Sequence, residues 1–112
     1  MLCRNIETNI RYKGEDTMKL EFWQVVQCNH VVIAQVCKTI DWERPLPRSG
    51  EYVSGLDSLD GAENLPVQRV LHRIQDGGCR VDLPPFNIVQ LRLSYRELEQ
   101  LAAKKGWTLQ KL

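Results

Sequence analysis

The stretch from Met18 to Trp42 constrains this chain most, because two long apolar runs separated by only two residues call for a β-hairpin. The runs, Leu20–Cys28 and Val31–Ile40, are rich in β-branched and aromatic side chains, which suit a pleated, half-buried surface. Asn29-His30 between them fills the place of a two-residue turn, and Asn tolerates the positive φ that a type I′ turn demands. Such a turn sets a register. On one side Phe22 faces Cys37, Gln24 faces Gln35 and Val26 faces Ile33; on the other Glu21 faces Lys38, Trp23 faces Val36 and Val25 faces Ala34. Opposite charges and apolar pairs coincide in this pairing, as cross-strand energetics favours. Both faces are largely apolar, so the hairpin is expected in the middle of a sheet.

Beyond the hairpin, Glu43–Gly50 holds Pro45 and Pro47. Each proline fixes φ and pushes its predecessor toward extended backbone, so this is a connection rather than a helix. A short strand, Glu51–Ser54, follows. Gly55–Leu65 reads as a solvated loop whose acids, Asp57, Asp60 and Glu63, are its candidate ligand contacts; their spacing departs from that of a calcium loop. Residues 66–76 satisfy two templates. Val67, Val70, Leu71 and Ile74 form a helical stripe, whereas Gly77-Gly78 and the alternation of Cys79–Leu83 point to a second hairpin. The strand reading is preferred, with Ile74 facing Val81, Arg73 facing Asp82 and His72 facing Leu83. After Pro84-Pro85, Phe86–Leu93 reads as another strand with Arg92 outward. Ser94 and Glu97 make a capping box that opens a helix over residues 95–105, and Gly106 is its left-handed stop. Trp107 and Leu109 are then expected to fold back onto the sheet.

Six strands followed by one helix predict an α+β domain over residues 18–112. Its expected form is a strongly curved antiparallel sheet, or a small, partly open β-barrel, capped by the C-terminal α-helix. Pro47-Arg48-Ser49-Gly50-Glu51, a Pro-x-x-Gly-acid step ahead of a short strand, resembles the corresponding step of small SH3-like barrels. Residues 1–17 are polar and without sustained periodicity, so they are expected to be a flexible N-terminal arm, with Met18 an alternative start. A formal charge of +1 points neither to nucleic acid nor to membrane. No apolar run approaches the ~20 residues of a membrane span. The first residues also lack a signal peptide's apolar core, which predicts a cytoplasmic location.

The four cysteines are expected to be free. Cys28 and Cys37 fall roughly 20 Å apart along the hairpin, beyond disulfide reach. Cys28-x-His30 lacks the paired spacing of a zinc site, so neither metal nor cofactor is expected. No phosphate-binding glycine loop, G-x-S-x-G or H-E-x-x-H occurs. In the register above, His72 and Cys79 are not neighbours. The tryptophans and tyrosines do not recur at period two on one strand, which suits a core better than a base-stacking platform.

What remains is a pattern of charge. Arg69, Arg73 and Arg80 project from one face of the second hairpin with Asp82 the single acid among them, and Arg92 extends the patch if its strand is a neighbour. The expectation is a non-catalytic module binding a protein or nucleic-acid partner through a basic sheet face, since guanidinium forks suit carboxylate and phosphate. One alternative is a small-molecule or nucleotide-binding protein with its pocket between helix and sheet. Another is a small enzyme using His72 and a carboxylate. A homo-oligomer is compatible with each.

Overall fold

The hairpin forms as two long antiparallel strands, β1 (Met18–Cys28) and β2 (Val31–Trp42), in a computed structural model that describes residues 18–73, 75 and 77–111. The expected arm, residues 1–17, lies outside the described residues. Asn29 and His30 both have positive φ, 50° and 67°, as a type I′ turn requires. The expected register holds only beside this turn, where Cys28 faces Val31 and Gln27 faces Val32. Past them Ile33 is an extra residue on β2, and the pairing moves by one: Val26 faces Ala34, Gln24 faces Val36, Trp23 faces Cys37 and Phe22 faces Lys38. A β-bulge has this effect, and a one-residue slip sends a strand's whole side-chain set to the other face. Here it turns Ala34 and Val36 inward beside Leu20, Phe22 and Val26, all five 0% exposed. Without the bulge, polar Gln35 would occupy that core face.

The chain then leaves the sheet. β3 (Tyr52–Ser54) and β4 (Asn64–Pro66) pair in a separate two-stranded sheet. β5 (Arg69–His72) pairs antiparallel with β6 (Cys79–Asp82), and β6 runs parallel to β1. β7 (Phe86–Asn87) continues along the same edge of β1, opposite Val26 and Gln27. A helical turn, α1 (Ile88–Leu91), leads to α2 (Tyr95–Lys104) and to β8 (Thr108–Lys111), which pairs antiparallel with β2. The strand order β5-β6-β1-β2-β8 sets the hairpin centrally in an α+β fold with one long C-terminal helix. The sheet is mixed rather than wholly antiparallel and is open, so the barrel alternative gives way. Its physical cause is the long excursion through β3 and β4, which lets β6 enter beside β1 in the parallel sense that a tight turn forbids.

Three local expectations also give way. The second hairpin has a longer turn: the Arg73 N–H donates to the Gly78 carbonyl (2.9 Å) and the Gly77 N–H to the Arg73 carbonyl (3.1 Å). Pairing therefore shifts by four, and Arg69, not Arg73, faces Asp82 while His72 faces Cys79. Phe86–Leu93 is not one strand, because Asn87 Oδ1 accepts from the Val89 N–H (3.0 Å) and caps a helical turn instead. Residues 55–65 are not simply solvated: Leu56, Ser58, Leu59 and Leu65 are buried, and β4 begins at Asn64.

α2 is the helix that the capping box announces. Ser94 Oγ accepts from the Glu97 N–H (3.2 Å) and Glu97 Oε1 accepts from the Ser94 N–H (2.9 Å). Gly106 follows the helix at φ 83°. Ser94→Ala should cost about 1 kcal/mol, read from the urea midpoint. Hydrogen bonds from the Ser94 backbone, and then its side chain, hold the Glu97 carboxyl below its ordinary 4.5. A depressed carboxyl pKa adds stability that is present above the unfolded value and lost as pH falls through the folded one. The Glu97 carboxylate's share of the cap should therefore decline as pH falls from 4.5, while the Ser94 Oγ contact remains.

Leu98 and Ala102 of α2 are fully buried, and with Trp107 they join Leu20, Phe22, Val26, Val36 and Val81 in one core cluster. Gln24 also points inward, 3% exposed. Its Nε2 donates to the Pro84 carbonyl (2.8 Å) and ties the proline turn to β1, while its buried Oε1 has no hydrogen-bond partner.

Candidate functional site

Strand alternation sends every second residue away from this core. The outer face thus carries Glu21, Trp23 and Val25 from β1, Gln35 and Cys37 from β2, Arg80 and Asp82 from β6, and Arg69 and Leu71 from β5. The parallel pairing of Glu21 with Arg80 and Trp23 with Asp82 brings these strands' polar groups into reach.

Asp82, with a side chain only 15% exposed, sits between two guanidinium groups. Its Oδ2 accepts from Arg69 Nε (2.9 Å), with Arg69 Nη2 2.8 Å away, and its Oδ1 accepts from Arg80 Nε (2.7 Å). The Arg80 guanidinium lies 4.7 Å over the Trp23 ring. The Trp23 indole N–H donates to Glu21 Oε1 (3.1 Å), which also accepts from Arg73 Nη1 (2.5 Å). A continuous chain results: Arg69, Asp82, Arg80, Trp23, Glu21, Arg73. Among the described residues, Asp82 is shared by two guanidinium groups and Glu21 accepts from the third. These half-buried pairs hold the guanidinium forks in place. Beside them lies a hollow of about 170 Å³ lined by Trp23, Val25, Gln35, Arg69, Arg80 and Asp82, among others.

Arg69, Arg73 and Arg80 do share a face, as expected. Arg92 does not extend it along a strand: it closes α1 in the left-handed region at φ 56°, outside any strand. Asp82 is not the single acid on the face, since β1 supplies Glu21. Glu21 and Trp23 join the site only through this pairing. The signal for both was their shared odd parity on β1, which the sequence could not link to β6.

The loop acids do not converge. Asp60 Oδ1 accepts from Ser58 Oγ (2.8 Å) and the Ala62 N–H (3.1 Å), and Asp57 Oδ1 lies 3.4 Å from Lys105 Nζ. Asp57 and Glu63 line a separate open cleft of about 470 Å³ with Ser54, Asn64 and their neighbours. The space between α2 and the sheet is filled by Leu98, Ala102 and Trp107.

His72 and Cys79 are cross-strand partners, contrary to expectation, but His72 is exposed on the edge strand while Cys79 is buried. Burial pushes the Cys79 thiol up, and burial followed by the Glu21 carboxylate does the same for Cys37. A thiol kept protonated is not a nucleophile. Cys28, Cys37 and Cys79 are free, and Cys3 lies outside the described residues. Among the described residues no group of three or more His, Cys, Asp or Glu side chains is placed to hold a metal, and no helix is long and apolar enough to cross a membrane. Comparison with protein-family models, with curated proteins and with solved structures found no match to this chain.

Proposed function

We propose that this chain is a non-catalytic binding module whose outer sheet face takes an acidic surface of a protein partner. The observation that carries the reading is the convergence of Arg69, Arg73 and Arg80 around Trp23, on the face turned away from the core. Arg and Trp are enriched at the centres of protein interfaces, and Lys is depleted there. Asp82 and Glu21 pre-set the guanidinium forks, which lowers the cost of ordering them on binding. Guanidinium forks favour a carboxylate, which they can meet with two hydrogen bonds. At about 170 Å³ the hollow beside Trp23 is smaller than the roughly 300 Å³ at which small-ligand sites begin. It suits one side chain of a partner.

A nucleic-acid partner has less support, because Arg80 already stacks on the Trp23 ring that a base would need. A cytoplasmic location belongs to the same proposal and rests on the three free thiols, which suit a reducing compartment.

The test is a paired pull-down with the wild type and an Arg69→Gln, Arg73→Gln, Arg80→Gln triple variant, with protein and nucleic acid both analysed. The expected result is a protein with an acidic surface that the wild type retains and the triple variant loses with its fold intact. Recovery of nucleic acid with a log–log salt slope of roughly −3 would reassign the partner's class. Equal recovery by both proteins would refute the reading.

A further inference from the structure

Among the described residues β5 ends the sheet on one side, so one of its backbone edges faces away from β6. The Arg73 N–H donates to the Gly78 carbonyl, and β5 pairs with β6 in register from Arg69–Asp82 to His72–Cys79. In an antiparallel ladder, residues that bond to the neighbour alternate with residues that do not. Arg69 and Leu71 therefore turn their N–H and C=O toward β6, whereas Val70 and His72 turn theirs to the free edge. An exposed row of this kind is a template for another strand. The side chains flanking it are charged on one face only. Arg69, Leu71 and Arg73 stand at alternate positions on the outer face, with Leu71 40% exposed between the two arginines.

We infer that the acidic partner of the proposed face binds as an extended segment, adding a strand to the free edge of β5; this deepens the basic-face reading and rests on it. Cross-strand neighbours sit about 4.5–5.5 Å apart, so a segment with acid, apolar and acid side chains at alternate positions would set carboxylates beside Arg69 and Arg73 and an apolar group beside Leu71. Charge complementarity selects this occupant. A second copy pairing through its own β5 would bring Arg69 and Arg73 against their equivalents, and like charges directly opposite repel. The chain's own residues 1–17 hold three basic side chains, Arg4, Arg11 and Lys13, against three acidic ones, Glu7, Glu15 and Asp16, and so offer no net negative strand.

The experiment is a titration of the full chain at low salt with a capped peptide of sequence Gly-Glu-Thr-Val-Thr-Glu-Gly. Its Lys-Thr-Val-Thr-Lys counterpart and a single-stranded oligothymidylate serve as controls. Two readouts are taken, affinity and amide exchange at Val70 and His72. The acidic peptide alone should bind, and at saturation exchange at both amides should slow about fivefold or more, as newly made hydrogen bonds require. Val70→Pro removes an edge N–H that β6 does not use and should weaken binding about tenfold. Binding that the triple Arg→Gln variant abolishes, but with unchanged exchange at Val70 and His72, overturns strand addition and leaves the basic face standing. Equal affinity for acidic and basic peptides, no binding at all, or preference for the oligonucleotide overturns both. If Val70→Pro does not fold, the exchange measured on the wild type decides.

Discussion

Phe22→Ala should destabilise the protein by about 3–5 kcal/mol, the range measured for truncating a fully buried aromatic. Phe22 is 0% exposed at the middle of the central strand, between Lys38 on β2 and Val81 on β6, with its ring 5.8 Å from that of Trp42. Nothing nearby is free to close the void, since Leu20, Val26, Val36 and Val81 are themselves fully buried. Against a typical total of about 5–15 kcal/mol, such a loss moves the urea midpoint a long way. Trp23→Ala, one residue along, removes a larger side chain from the outer face and should cost well under half as much. Equal losses at the two positions would contradict the strand parity on which the outer face depends.

Trp107→Ala is expected to cost a similar about 3–5 kcal/mol and to act on a different part of the molecule. Trp107 is 3% exposed, and its indole N–H donates to the Asp57 carbonyl (3.0 Å). The Lys38 ammonium lies 4.9 Å over its ring and donates to the Leu56 carbonyl (2.6 Å), while Lys105 donates to the Ser58 carbonyl (2.9 Å). These groups hold the loop in which Asp57 sits at φ 55°, a conformation that non-glycine residues rarely adopt without support. Burial pushes the Lys38 ammonium pKa down; Asp57 opposes that shift and Lys105 adds to it. Removing the ring takes away apolar burial, a hydrogen bond and a cation–π partner together. Amide exchange over residues 55–62 should then accelerate more than exchange in β1. A uniform acceleration would mean that the loop is not docked through Trp107.

Local chemistry made part of this fold legible. Asn29-His30 announced its turn, Ser94 and Glu97 their helix, and the apolar runs of β1 and β2 their central place. Long-range partners were not legible. The bulge at Ile33 follows from which side chains the rest of the chain covers, and the hairpin alone cannot supply that. The turn after β5 is longer than Gly77-Gly78 suggested, so the second register moved by four. β8 was foreshadowed only as a folding back of Trp107 and Leu109, because its four residues gain a strand's identity by pairing with β2. Arg92 lies off the sheet for a local reason, as the Asn87 cap competes with strand backbone. At the candidate site the arginines were visible in the spacing of β5 and β6. Their link to Trp23 and Glu21 depends on parallel pairing with a strand some sixty residues earlier, which no local pattern encodes.

Asp82→Asn tests most directly whether the arginines around Trp23 form the partner surface, because it predicts a gain and a misfolded protein cannot produce one. The substitution keeps the side chain's shape and removes the carboxylate that neutralises Arg69 and Arg80 together. A unit charge a few Å from a bound carboxylate is worth about 1 kcal/mol at a wet surface, or a factor of about five in affinity. The measurement is the affinity of Asp82→Asn for the acidic Glu-Thr-Val-Thr-Glu peptide beside that of the wild type, at matched low salt. About fivefold tighter binding, fading as salt is added, is the expected result. Unchanged or weaker binding by a variant that still melts cooperatively would contradict the assignment of this face.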